Sequence, residues 1–358
     1  MSSLNDFSDT LYNFHKAPEY KSIETLCSKA KEEFLNALRN VDEKEFVDTH
    51  AKGATSKDKK NHVEAWMSKL IDEINNIVKR ESDNDMQAAS DFYELLFLNS
   101  GNMQNKVSTI KAKTDFYRMR SADNYLRYDR KGLFLISDKC ENLVGTYRYN
   151  PSGYACLYLA SNLYLAWEES RRPDFDKVNF SRFQNTQELR VLNVTISRSF
   201  RNEEDFLMAY LTLLCSAKTT DKKEDKHNFQ YIVPHLIMKA LCHSQRQCKE
   251  NKEQDMIHGI KYLSSRRYDQ KDFLFQDKRL SIAYVFPQHP HDDTQELCPF
   301  LAKLFKLTAP RSYFLYKTHR INLNHKFALT SDYDGSLFQQ LEQQAKGDKL
   351  EKYDVQDE

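Results

Sequence analysis

The hydrophobic period of this chain changes near residue 100, and that change limits what each part can become. Between residues 63 and 78 the apolar positions are Val63, Trp66, Met67, Leu70, Ile71, Ile74, Ile77 and Val78. Their i, i+3, i+4, i+7 spacing describes one face of a helix. Thr55 and Ser56 are candidate caps, and the charged run Lys79-Arg80-Glu81-Ser82-Asp83 closes the stripe. Further helices are expected over 20–39 and 85–98, with a solvated lysine-rich loop over 52–60. After Ser100-Gly101-Asn102 the character shifts, and from residue 114 short aromatic and β-branched runs alternate with polar turns. Strands are expected over 115–118, 133–136, 155–159, 189–195 and 282–286. Helices are expected over 162–170, 203–215 (with Asn202 as N-cap) and 234–242, where Pro234 suits a first turn. Residues 217–228 read as a hydrated loop.

Composition narrows the function classes. Hydrophobic residues make up 40% of the 358, including 22 Phe and 20 Tyr, enough for a real core. With 53 Lys+Arg against 52 Asp+Glu the formal charge is +1, so there is no basic excess of the kind nucleic-acid binding calls for. Cys27, Cys140, Cys156, Cys215, Cys242, Cys248 and Cys298 are scattered without a CxxC pair, as for reduced thiols. The N-terminal residues carry no signal-peptide pattern, and no apolar run approaches the ~20 residues of a membrane span. A soluble, cytoplasmic protein without a membrane partner is expected.

Chemistry concentrates in one stretch: Tyr147-Arg148-Tyr149-Asn150-Pro151-Ser152-Gly153, then Leu157-Tyr158-Leu159-Ala160, then Trp167-Glu168-Glu169. Arg118 lies upstream in Tyr117-Arg118-Met119-Arg120. An arginine fork grips phosphate through paired hydrogen bonds that lysine cannot copy. A tyrosine ring can stack on a flat heterocycle. A carboxylate beside a ribose can stabilise the oxocarbenium character of a breaking N-glycosidic bond. Taken singly, an Arg near a Glu is more often an ion pair, and a strand Tyr is more often packing.

In order, these blocks resemble the RES domain family, named for its Arg, Glu and Ser. The likeness runs through Gly132-Leu133-Phe134, Tyr117-Arg118, Arg148-Tyr149-Asn150, Tyr158-Leu159-Ala160 and Ala166-Trp167-Glu168-Glu169. It ends in His258-Gly259-Ile260-Lys261-Tyr262-Leu263-Ser264-Ser265, and spans roughly residues 114–290. Glu168 and Glu169 both stand at the family glutamate, and the spacing from Tyr158 favours Glu169. Ser264 matches the family serine better than Ser265. His258 replaces a common acidic residue, and Leu263 a common proline.

The resemblance implies an α+β, ADP-ribosyltransferase-like RES domain over 109–330. An α-helical N-terminal domain over 1–108 would precede it, and a C-terminal helix and charged tail over 331–358 would follow. It implies a toxin or phage-defence effector that uses NAD as substrate, by hydrolysis or phosphorolysis, with no metal. Arg118 and Arg148, with Tyr149 and Asn150, would hold the diphosphate. Tyr158 would pack on the nicotinamide end, Glu169 would stabilise the cationic ribose, and Ser264 would complete the pocket. Protein ADP-ribosylation and a non-catalytic nucleotide-sensing module are the alternatives. An antitoxin or immunity partner and homo-oligomer formation are expected.

Other residues have plain alternatives. Cys242-His243, Cys248 and His258 match no zinc spacing, and Cys242 falls on an apolar helix face. His289-Pro290-His291-Asp292-Asp293 reads as a polar loop more readily than as an ion site. Arg182 could reach the substrate or form a structural ion pair. Arg171-Arg172 and Arg266-Arg267 could raise the local potential or be solvated.

Overall fold

The computed structural model describes residues 2–14, 20–46, 55–83, 85–99, 106–122, 128–135, 145–151, 154–196, 200–217, 228–247, 256–264, 281–288, 298–313 and 336–352. Within them the helices are α1 (Leu4–Phe14), α2 (Ile23–Asn40), α3 (Ser56–Ser82), α4 (Ala88–Glu94), α5 (Arg130–Phe134), α6 (Leu163–Glu169), α7 (Glu203–Cys215), α8 (Ile232–Gln247), α9 (Pro299–Leu304) and α10 (Leu337–Lys346). The strands are β1 (Val107–Ile110), β2 (Asp115–Ser121), β3 (Cys156–Ala160), β4 (Val178–Asn185), β5 (Leu189–Val194), β6 (Gly259–Leu263), β7 (Ile282–Pro287), β8 (Phe305–Leu307), β9 (Arg311–Ser312) and β10 (Glu351–Lys352). The chain is therefore α+β. It divides into two units, Met1–Ser108 with Tyr147–Pro151 and Leu192–Ile257, and Thr109–Thr146 with Ser152–Val191 and His258–Glu358. Segments 147–151 and 192–257, which the sequence reading grouped with the RES region, thus cluster with the N-terminal helices.

The first unit is helical. α3 starts at Ser56 because Thr55 and Asp58 form a reciprocal capping box, so 56–60 are helix rather than the expected loop. Its buried face is Val63, Met67, Leu70, Ile71, Ile74, Ile77 and Val78, the stripe read from the sequence. α4 is followed by a π-helical turn over Leu95–Asn99. α7 opens on Asn202, whose side chain accepts from the Asp205 amide. Three acidic residues in its first turn face the positive end of the helix dipole. From Phe206 to Cys215 every α7 side chain is buried, as in a helix enclosed by its neighbours. Phe206 meets the rings of Phe7, Phe46 and Phe200, and the Tyr210 hydroxyl donates to Asn75 Oδ1 at 2.9 Å.

The second unit is built on a sheet whose strands run β1-β5-β6-β7-β3-β2-β4-β8-β10, with β9 also paired to β4. The unit boundaries fall inside β1 and β5. From β6 to β4 the registered pairs are antiparallel. β2 and β4 stay paired from Asp115↔Gln184 to Ser121↔Val178. β2 and β3 share the single pair Tyr117↔Ala160. One sheet face packs Phe116, Leu157, Leu159, Phe183 and Phe286 into the core with α9. On the other, α6 and α10 are joined where the Leu163 amide donates to Glu342 Oε1 at 2.6 Å. Gly259 is required at the start of β6, since a Cβ there would lie 2.5 Å from the Val285 carbonyl oxygen. The strand expected over 133–136 is corrected: residues 130–134 form α5, because Asp129 caps the Gly132 amide at 2.6 Å.

Candidate functional site

Four of the sequence-derived site residues lie in the second unit. Arg118 is in the middle of β2, opposite Ser181 of β4. Its guanidinium donates to the backbone carbonyl of Tyr158 at 3.5 Å, where β2 and β3 part after their one shared pair. Tyr158 is half-buried in β3 opposite Val285. Alternation along paired strands puts the Arg118 side chain on the Phe116 and Leu159 face, and the Tyr158 ring on the Tyr117 and Val285 face. The structure thus joins Arg118 to the Tyr158 backbone rather than to its ring. Ser264 directly follows β6. Its amide donates to the Ser281 carbonyl at 2.9 Å, while its hydroxyl oxygen is buried without a hydrogen-bond partner among the described residues.

Glu169 is the last residue of α6 and is half-buried. Its neighbour Glu168 has a different environment. Glu168 is 2% exposed, accepts the Tyr164 hydroxyl, and pairs with Arg172 Nε at 2.7 Å. The helix then ends in two consecutive left-handed residues, Arg171 at φ 67° and Arg172 at φ 51°. Their amides return to the Glu168 and Trp167 carbonyls, each at 3.0 Å. The Ser170 hydroxyl reaches the carbonyl of Met119, next to Arg118, at 3.1 Å. Trp167 lies under the Arg172 guanidinium and stacks on Phe175. Glu168 is therefore committed to the helix end. Arg172 is taken up by the same pair.

Arg148, Tyr149 and Asn150 belong to the first unit. Tyr147 and Asn150 close a tight turn by exchanging backbone hydrogen bonds at 3.3 and 3.0 Å. The Arg148 guanidinium donates to the carbonyls of Cys215 and, at 3.1 Å, Ala217, at the C-terminal end of α7. It also lies over the Tyr231 ring. Burial pushes the Cys215 thiol up to about 12, opposed by the Tyr149 hydroxyl and the Arg148 charge. His235 Nε2 sits 2.9 Å from the Tyr147 carbonyl oxygen, so that nitrogen carries the proton. Burial pushes the ring down to about 4, which keeps it neutral at pH 7.

The remaining candidates resolve into structural roles or fall outside the described residues. Arg182 is 6% exposed and pairs with Asp115 at 3.1 Å while donating to the carbonyls of Lys346 and Asp348. His258 Nδ1 accepts the Arg190 amide at 3.0 Å and its ring stacks on Phe300. Cys242 is buried on α8 and its thiol is pushed up to about 11 by burial. Among the described residues no group of three potential ligands could hold a metal ion, and no helix is long and apolar enough to cross a membrane. Ser152, Gly153, Cys248, Ser265, Arg266, Arg267 and the 289–293 stretch lie outside the described residues. Sequence reading passed over Lys261 and Tyr284, a cross-strand pair, and Ser181 opposite Arg118. A lysine alternating with apolar residues in Gly259-Ile260-Lys261-Tyr262-Leu263 was the available signal.

No family model and no solved structure matches the chain. Over 232 residues it is 22% identical to a protein of Bacillus subtilis (strain 168) described as "Putative toxin YopC". The match covers 60% of this chain and 50% of that protein, so the chain spans about half the length of this curated relative. The chain is thus similar to a protein described as a toxin.

Proposed function

We propose that this chain is an NAD-consuming toxin or phage-defence effector that cleaves the bond between nicotinamide and ribose, by hydrolysis or phosphorolysis. The observation that carries the reading is the Arg118 contact with the Tyr158 carbonyl, which joins sequence blocks forty residues apart where β2 and β3 separate. The Ser264 hydroxyl, unpartnered among the described residues, adds support, as does the likeness to a protein described as a toxin. In this reading Tyr158 borders the nicotinamide end, while Arg118, whose side chain lies on the opposite sheet face, braces the Tyr158 backbone. Glu169 stabilises positive charge on the ribose as nicotinamide leaves. Nicotinamide is a good leaving group, so orientation and electrostatics drive the step without a covalent nucleophile or a metal. Water or phosphate then accepts the ADP-ribose. Silencing by an antitoxin or immunity protein belongs to the same proposal.

The test is product analysis of purified protein with NAD, in phosphate and in phosphate-free buffer. Free nicotinamide is expected, and Glu169→Ala is expected to lose most turnover while retaining NAD binding. Full retention of NAD in both buffers defeats the reading. Label transferred from NAD to a protein would redirect it to ADP-ribosylation.

A further inference from the structure

One face of the second unit's sheet carries polar groups that the preceding reading does not use. Lys261 of β6 is registered opposite Tyr284 of β7, and Tyr284 opposite Leu159 of β3. Directly paired residues share a face with Cβ atoms about 5 Å apart, so these three side chains form a row. The Tyr284 ring meets Phe116 edge-on at 5.1 Å. Phe116 lies two residues from Arg118 on β2, so Arg118 and its partner Ser181 share that face.

The face contains donors without acceptors. Among the described residues Lys261 has neither an ion-pair nor a hydrogen-bond partner, although it is half-buried. Desolvation alone, with no counter-charge, lowers its ammonium from the usual value. Burial raises the Tyr284 hydroxyl to about 12, so it keeps its proton, and it too has no hydrogen-bond partner among the described residues. Ser181 is fully buried and its hydroxyl has no hydrogen-bond partner among the described residues. A desolvated cation costs free energy unless an opposite charge meets it. Two neutral donors and a second cation on the same face suit an anion rich in acceptor oxygens.

We propose that Lys261 and Tyr284, on the sheet face they share with Arg118 and Ser181, form a binding site for phosphoryl oxygens. Four neighbouring strands place Lys261 about 14 Å from Arg118 along the sheet. With long side chains at both ends, that span suits a diphosphate better than a lone small anion. The Tyr158 ring lies on the opposite face, so the occupant is a phosphoryl group separate from the nicotinamide pocket of the NAD reading above.

The test is calorimetric titration of the full chain and of Lys261→Met and Lys261→Arg with three probes: NAD, pyrophosphate and inorganic phosphate. Methionine keeps the stem and removes an unpaired charge, so thermal unfolding should not fall. Lys261→Met is expected to weaken pyrophosphate about tenfold or more, the scale of a charge-assisted hydrogen bond, while Lys261→Arg retains binding. Loss confined to inorganic phosphate would keep the site and identify free phosphate as its source. Lys261-dependent pyrophosphate binding without nicotinamide release would keep the site and defeat the NAD reading. Nicotinamide release with unchanged binding in Lys261→Met would do the reverse. Failure of the wild type to bind any of the three anions overturns the site.

Discussion

At the residue scale, Arg148 shows how a side chain suited to phosphate can be put to other use. A helix leaves its last carbonyls without intrahelical donors and carries partial negative charge at that end. The Arg148 fork meets both conditions at the C-terminal end of α7, donating to the Cys215 and Ala217 carbonyls. Replacing it with alanine strips two acceptors of their donor. Arg148→Ala should therefore lower the stability of the first unit by about 1–2 kcal/mol, seen as a shift in the urea midpoint with or without NAD. Arg148→Lys should recover only part of it, because an ammonium cannot span two carbonyls as a planar fork does. An unchanged midpoint in Arg148→Ala would mean these bonds contribute nothing. Loss of the proposed activity in Arg148→Ala would accordingly mix folding with function, which makes Glu169→Ala the cleaner probe of the proposed catalysis. Spacing could identify Arg148 as an arginine in a turn. It could not show the guanidinium's partner, which is 67 residues away along the chain.

At the element scale, α6 holds the proposed catalytic carboxylate and shows why its neighbour differs. Successive helical residues turn by about 100°. Seating Glu168 against Tyr164 and Arg172 therefore fixes where Glu169 points. Arg172 is 42% exposed and Glu168 is 2% exposed, so the pair is half-solvated. Removing the arginine leaves a buried carboxylate with the Tyr164 hydroxyl for support. Arg172→Ala should cost about 2 kcal/mol, below the loss for a wholly buried pair. Arg171→Gly should be neutral or stabilise by up to about 1 kcal/mol, because φ 67° strains a residue with a Cβ. Thermal unfolding of the two variants checks both signs, and a stabilised Arg172→Ala would refute the ion-pair account. Elements with local signals were legible in the sequence. Asn202 placed the start of α7, and the apolar stripe placed α3. α5 was misread because Leu133 and Phe134 suggest a strand, whereas the deciding contact is the Asp129 cap. β4 went unforeseen because it is buried on both faces, so no polar alternation marks it.

At the scale of the whole molecule, the sequence marked the change near residue 100 but not the return of later segments to the first unit. Periodicity identifies a helix without saying which core receives it. α7 has buried side chains around its circumference, so it needs partners on every side. Those partners include Phe7 of α1, Phe34 of α2 and Asn75 of α3, which meet Phe206 and Tyr210. α8 likewise depends on the first hundred residues: Lys239 pairs with Glu81 at 2.5 Å, and the His243 ring packs on Tyr93 at 4.2 Å. Each fully buried Leu or Phe contributes about 1.5–3 kcal/mol. Uncovering the row from Phe206 to Leu214 would therefore cost an amount comparable to the whole 5–15 kcal/mol by which a typical domain is stable. A chain cut to residues 109–358 should consequently aggregate or lose helical signal over α7 and α8, rather than yield an isolated NAD-processing domain. Circular dichroism and size-exclusion chromatography of the truncated chain test this. A monodisperse 109–358 fragment with protected α7 amides in hydrogen exchange would show instead that α7 and α8 fold without the N-terminal helices.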